Sequence, residues 1–128
     1  MSHAPIHPSI DAYFATLSAM DWDGVAACFA PEIHHEDPVG SPVNRSPAGV
    51  KAFLTQIGGL FETVALRPRA HFRCGDEFAV VWDGEGRGRN GAQVTFEGVD
   101  LIRVDGEGRI ATLRAFWDPA PVLGRLMG

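Results

Sequence analysis

AQVTFEGVDLIRVDGEGRIATLRAFW, residues Ala92 to Trp117, decides the fold class. Val94, Phe96, Ile102 and Val104 share one parity of a long extended run from Ala92 to Val104. Successive side chains of a strand point to opposite faces, so a period of two describes a strand with one buried face. DGEG (105–108) then reads as a turn, and Arg109 to Trp117 as the next strand.

Working back towards the N-terminus, Phe78 to Trp82 predicts another strand, joined to the long one through GEGRGRNG (84–91) as a loose hairpin turn. A phosphate-binding reading of those glycines fails, because no Walker-type Lys-Ser/Thr follows. Val64, Leu66, Ala70, Phe72 and Cys74 share one parity of an earlier strand, interrupted by Pro68, which suggests an edge or a bulge. Ile33 to Asp37 predicts a short strand.

Before Gly59 the period is helical. Ile10, Tyr13, Phe14, Leu17 and Met20 carry the i, i+3, i+4, i+7 spacing of an amphipathic helix opened by Pro8 or Ser9. Asp21 predicts the cap of a second helix, with Trp22, Val25, Cys28 and Phe29 on its apolar side and Pro31 ending it. Ser46-Pro47 predicts a third, through Val50, Phe53, Leu54 and Ile57 to Gly58-Gly59. Helices followed by a run of strands argue an α+β domain spanning 1–128, an antiparallel-rich sheet with helices on one face. Such a sheet, if curved, encloses a pocket.

The 128 residues are 45% hydrophobic and 21% charged, enough for one ordinary core. The 11 Lys and Arg residues form no cluster and the net charge is −5, so no basic patch offers a nucleic-acid or anionic-membrane footprint. MSHAPIHPS lacks a signal-peptide pattern and no apolar run reaches membrane-spanning length, which predicts a cytoplasmic protein. Cys28 and Cys74 fall on apolar faces and read as buried free thiols, with no polar context to activate either as a nucleophile.

Polar residues on faces that should be apolar carry the functional signal, because a buried polar group costs free energy unless paired. Asp100 shares the parity of the apolar residues of the long strand. Kept charged and unpaired there it would cost on the order of several kcal/mol. Desolvation favours the protonated acid, which is a hydrogen-bond donor. The other solutions are a bulge that turns it outward, or a pairing with Arg103 or Arg114. Tyr13 lies in the stripe of the first helix, either as a core tyrosine with a satisfied hydroxyl or as a site group. Asp37, held extended by Pro38 at a strand end, is either part of a turn or a carboxylate facing a pocket. The neighbouring HHED (34–37) invites a metal reading. Alternation lets only His35 and Asp37 share a face, with only His3, His7 and His71 left as further histidines, so proton transfer is preferred and no metal is expected.

YFATLSAMDWDGVAACFAPEIHHEDPVGSP (13–42) resembles the N-terminal half of the bacterial ketosteroid isomerases, and VTFEGVDLIRVDGEGRIATLRAFW (94–117) their C-terminal half. The resemblance spans roughly Ile10 to Trp117. It implies the nuclear transport factor 2-like cone: a curved, mostly antiparallel sheet wrapped by three N-terminal helices, with the homodimer usual for that family. It also implies roles. Asp37 corresponds to the general base, and Tyr13 and Asp100 to the two oxyanion-hole donors. A carboxylic acid kept neutral by an apolar site is an established feature of ketosteroid isomerases, carried over here to Asp100.

The implied reaction moves a β,γ double bond into conjugation with the ketone of a 3-oxo-Δ5-steroid or a similar apolar enolisable ketone, with no metal or organic cofactor. Val39, Phe53, Phe96 and Trp117 are candidates for an apolar substrate-binding wall, or else plain core. Phe116 has the opposite parity to Trp117, so only one should line it, and Trp117 is favoured. Some isomerases extend the first-helix tyrosine into a chain of phenols. Phe29 and Leu54 stand at those positions here, and Tyr13 is the only tyrosine. The fold also hosts other enzymes and binders, so a polyketide-cyclase-like enzyme and a non-catalytic binder of apolar small molecules stand as alternatives.

Overall fold

The computed structural model describes residues 5–128, and His3 lies outside the described residues. Three helices open the chain: α1 (Pro8–Ser18), α2 (Trp22–Ala26) and, after the first strand, α3 (Pro47–Gly58). Five strands, β1 (Phe29–Glu36), β2 (Phe61–Cys74), β3 (Glu77–Gly88), β4 (Gln93–Val104) and β5 (Ile110–Phe116), form one sheet in the order β1-β5-β4-β3-β2. The β1–β5 pair is parallel and the other three pairs are antiparallel. The sheet is curved and unclosed, with the helices gathered against it, as the α+β reading expects.

The caps follow the sequence. Asp21 accepts from the Gly24 N–H and Ser46 from the Gly49 N–H, each satisfying a backbone donor left free at a helix start. Ile10, Tyr13, Phe14 and Leu17 are the buried face of α1. A fourth helix, α4 (Pro119–Leu126), was not anticipated, so the helices are not all N-terminal. Its signal was present: Asp118-Pro119 repeats the cap-then-proline pattern of Ser46-Pro47.

Three local expectations differ from the structure. The second helix ends at Ala26, and Phe29 and Pro31 belong to β1. Pro31, without an N–H, sits where β1 is out of step with β5, between the pairs Phe29–Ile110 and His34–Thr112. The hairpin turn lies after Gly88; Gly84, Gly86 and Gly88 are strand residues of β3 facing inward. Cys74 is exposed, whereas Cys28 is buried.

Pro68 explains that last error. It sits on the edge strand β2, as its missing N–H suggested, and the pairing shifts between Pro68 and Ala70. One extra residue reverses every later side chain. Val64 and Leu66 therefore oppose the inward Gly86 and Gly84, while beyond the bulge His71 opposes the buried Val80. Ala70, Phe72 and Cys74 are turned to the outer face, and Phe72 is 69% exposed.

Candidate functional site

A cavity, open to solvent at its mouth, lies between the inner face of the sheet and the helices. Tyr13, Asp37 and Asp100 all line it. Apart from three indoles, Trp22, Trp82 and Trp117, the rest of the wall is hydrocarbon or glycine: Leu17, Phe53, Leu54, Ile57, Gly58, Phe61, Val64, Leu66, Phe96 and Ala115. Three groups far apart in sequence are the polar ligands of one apolar chamber.

The strand pairing explains how they meet. Because β1 runs parallel to β5, their C-terminal ends lie side by side, with Glu36 opposite Arg114. The residues just beyond those ends are Asp37 and Trp117, and the Trp117 indole N–H donates to Asp37 Oδ1 at 2.7 Å. Asp100 sits on β4 between Val80 of β3 and Ala115 of β5. It is 2% exposed and accepts from the Trp82 indole N–H at 2.9 Å. None of the three other solutions holds: Arg114 donates to Glu36, Arg103 is exposed on the opposite face of β4, and Asp100 is turned inward rather than bulged out.

Burial sets the protonation of this chamber. Desolvation pushes Asp100 well above the ordinary carboxylate range, the Asp37 charge pushes it further, and the Trp82 hydrogen bond opposes both. Both causes of that rise favour the neutral acid over the carboxylate. Asp37 is raised by desolvation and lowered by donation from Trp117. The two carboxyls interact, and burial raises Asp100 more strongly than Asp37. Tyr13 is raised by burial, then by the charges of Asp100 and Asp37, so its phenol keeps its proton. Its ring packs edge-on against Phe14 and Phe29, at 5.2 and 6.0 Å between centroids. Phe29 thus packs hydrocarbon against the Tyr13 ring.

Of the four proposed wall residues, Phe53, Phe96 and Trp117 line the cavity. Val39 does not. Its backbone N–H donates to the Ala115 carbonyl at 2.8 Å, tying the loop after β1 to β5. Phe116 faces outward, 42% exposed, beneath the Arg114 guanidinium. Sequence reasoning missed Trp82 and gave Trp117 no polar role. The available signal was that a buried indole N–H wants an acceptor and Trp82 shares the inward parity of Phe78 and Val80.

The remaining residues of HHED separate. His34 and Glu36 pair at 2.6 Å, and Glu36 also accepts from the Gly40 N–H and Arg114, so its carboxyl falls to about 2. His35 is fully buried between Phe29 and Phe53, does not line the cavity, and meets Asn44 through Nδ1 at 3.1 Å. Desolvation lowers it from 6.5 to about 4. Among the described residues, no group of three or more His, Cys, Asp or Glu side chains could jointly hold a metal ion.

His35 predicts an acid-labile fold. Its folded pKa lies below the unfolded value, so the unfolded chain binds the proton first. Its contribution is intact above about pH 6.5 and is lost as pH falls through about 4. Urea midpoints at pH 7 and pH 4.5 should fall further apart for the parent than for His35→Phe. Equal spacing would show that His35 takes no part.

The model of the SnoaL-like domain matches residues 10–113. The chain belongs to the SnoaL-like domain family. A steroid Δ-isomerase of Nocardioides simplex is 27% identical to this SnoaL-like chain over 123 residues, covering 94% of it and 95% of the relative. The crystal structure of the Δ5-3-ketosteroid isomerase from a Mycobacterium species superposes with a TM-score of 0.78 at 26% identity, over 92% and 96% of the two chains. The epoxide hydrolase/cyclase-like enzyme of pyran ring formation in salinomycin superposes at 0.76 and 24% identity, over 88% and 89%. This last likeness concerns the fold alone. No helix among the described residues is long and apolar enough to cross a membrane.

Proposed function

We propose that this protein is an isomerase that moves a β,γ double bond into conjugation with the ketone of a 3-oxo-Δ5-steroid or a similar apolar ketone. One observation carries the reading: Asp37, Tyr13 and Asp100 share a cavity whose other walls are mostly apolar. Asp37 takes the proton from the carbon between ketone and alkene and returns it to the far end of the dienolate. A carboxylate ionised at neutral pH and able to reach both carbons suits that shuttle. Tyr13 and neutral Asp100 donate to the ketone oxygen as it gains negative charge. Donors already in place in a dry site need no reorganisation when that charge appears. The hydrocarbon wall from Leu17 to Leu66 favours a substrate with a single oxygen at the reacting end and an apolar body. The relative named as a steroid Δ-isomerase supports this choice over a cyclase on the same fold.

Mixing the protein with a β,γ-unsaturated 3-ketosteroid and following conjugated-enone absorbance tests the proposal. A rise that survives chelator is expected. An unchanged spectrum over a panel of such ketones would overturn the isomerase, and tight binding of an equilenin-like phenol in that case would point to the binder.

The homodimer usual for ketosteroid isomerases is proposed to form through the outer face of the sheet. Ala79, Val81, Leu101 and Phe116 are neighbours there, and Leu101 and Phe116 are 39% and 42% exposed. Sedimentation should give twice the 13.8 kDa chain mass, and Leu101→Lys should halve it. A parent that sediments as a single chain would remove this proposal.

A further inference from the structure

Trp82 is among the largest fully buried side chains, and its ring has a built seat. Its partner across the β3–β4 ladder is Gly98. A Cβ on Gly98 would stand 2.5 Å from the Phe116 carbonyl oxygen and 2.6 Å from Trp82 Cζ2, so a glycine there makes room for both the neighbouring strand and the indole. On one side the ring meets Phe96 edge-on, 5.7 Å between centroids. Phe96 is itself held against Gly84, where a Cβ would stand 2.6 Å from its ring. On the other side the indole N–H reaches Asp100 Oδ1 at 2.9 Å. Phe96, Gly98 and Asp100 are successive inward positions of β4, so they supply the wall, the floor and the acceptor for one indole.

We infer that Trp82 is a positioning residue: its N–H occupies Oδ1 of Asp100, so that the acid carries its proton on Oδ2 and presents it to the cavity. The inference rests on the isomerase reading of the site and adds a device to it. A neutral carboxyl has one carbonyl oxygen and one hydroxyl, and alone the two can exchange. An indole N–H donates and cannot accept, so it favours the carbonyl, the stronger acceptor of the two oxygens, at the position facing it. The hydroxyl is then left on the atom directed elsewhere. A serine, tyrosine or histidine in place of Trp82 could accept, and would let the acid turn its proton away from the substrate. The glycines at 84 and 98, which had no functional reading in the sequence, are the room this arrangement needs.

The test removes the N–H and keeps the ring. Trp82→Phe is the first variant. Incorporation of 3-benzothienylalanine at position 82 preserves the indole shape without its donor, and guards against a packing defect in the first. In both, kcat for the β,γ-unsaturated ketosteroid should fall on the order of 10-fold with little change in KM, less than the roughly 100-fold or greater loss of a whole donor. Affinity for equilenin should fall alongside kcat. Repeated on Asp100→Ala, the same replacements should change neither quantity further, since no acid remains to orient. Parent-like kcat and equilenin affinity in the benzothienyl protein would overturn the inference. Equal losses with and without Asp100 would also overturn it, leaving Trp82 a packing residue. If the parent turns over no ketone but binds equilenin, the isomerase reading fails alone and the same cycle is decided by dissociation constants. If equilenin does not bind either, reading and inference fall together.

Discussion

Asp37→Asn is expected to lower kcat by roughly 10²- to 10⁴-fold, the range supplied by a positioned general base, while substrate binding and fold persist. The amide has nearly the shape of the carboxylate, and its Oδ1 can still accept from the Trp117 indole that holds Asp37 at 2.7 Å. What it lacks is a lone pair basic enough to take the carbon-bound proton. The variant also removes the charge that pushes Asp100 and Tyr13 upward, so both donors become easier to ionise, though burial still opposes it. Binding of an equilenin-like phenol should therefore survive. Steady-state kinetics with the ketosteroid and a thermal melt decide the matter. Retention of more than about a tenth of parental kcat would place the base elsewhere, since a general base contributes far more than that.

Asp100→Ala and Asp100→Asn are expected to diverge. Alanine removes a donor from the hole and leaves the Trp82 N–H buried without its acceptor. A loss of about 10²- to 10³-fold in kcat follows, near 3 to 4 kcal/mol of barrier. Asparagine keeps an oxygen for Trp82 and an N–H for the substrate, so its loss should be smaller. Equal, severe losses in both variants would mean that the acid itself, and not its donation, is needed.

The same pair reports on stability. Asp100 has a folded pKa well above its ordinary 3.8, so in between the folded chain holds a proton that the unfolded chain has released. Stability then falls as pH rises through that interval, because the native state binds more protons. Asp100→Asn removes this dependence. Its urea midpoint should gain on the parent as pH moves from 4.5 to 8, and a constant difference would show that Asp100 does not stay protonated. The His35 effect has the opposite sign, which lets the two be separated by comparing each variant with its parent.

Tyr13, Asp37 and Asp100 were legible because each breaks a local pattern: a phenol in a helical apolar stripe, a carboxylate at a proline-limited strand end, and an acid on an apolar strand face. Trp82 and Trp117 were not legible as partners. Trp82 lies 18 residues from Asp100 and Trp117 lies 80 from Asp37, and only the ladder registers bring them together. Pro68 shows the same boundary on a smaller scale. The interruption of β2 could be read from one residue, but its consequence, the outward turn of Phe72 and Cys74, depended on the bulge against β3.

By itself the sequence determined the periodicities, the caps at Asp21 and Ser46, and the inward parity of Asp100. These are decided within a few residues by backbone geometry and by which side chains prefer to leave water. Only the tertiary structure decided that one cavity joins Tyr13, Asp37 and Asp100, that each acid is held by its own indole, and that desolvation pushes Asp100 upward. Hydrogen-bond partners and the loss of water around a charge depend on where distant strands close on one another, and no local pattern contains that.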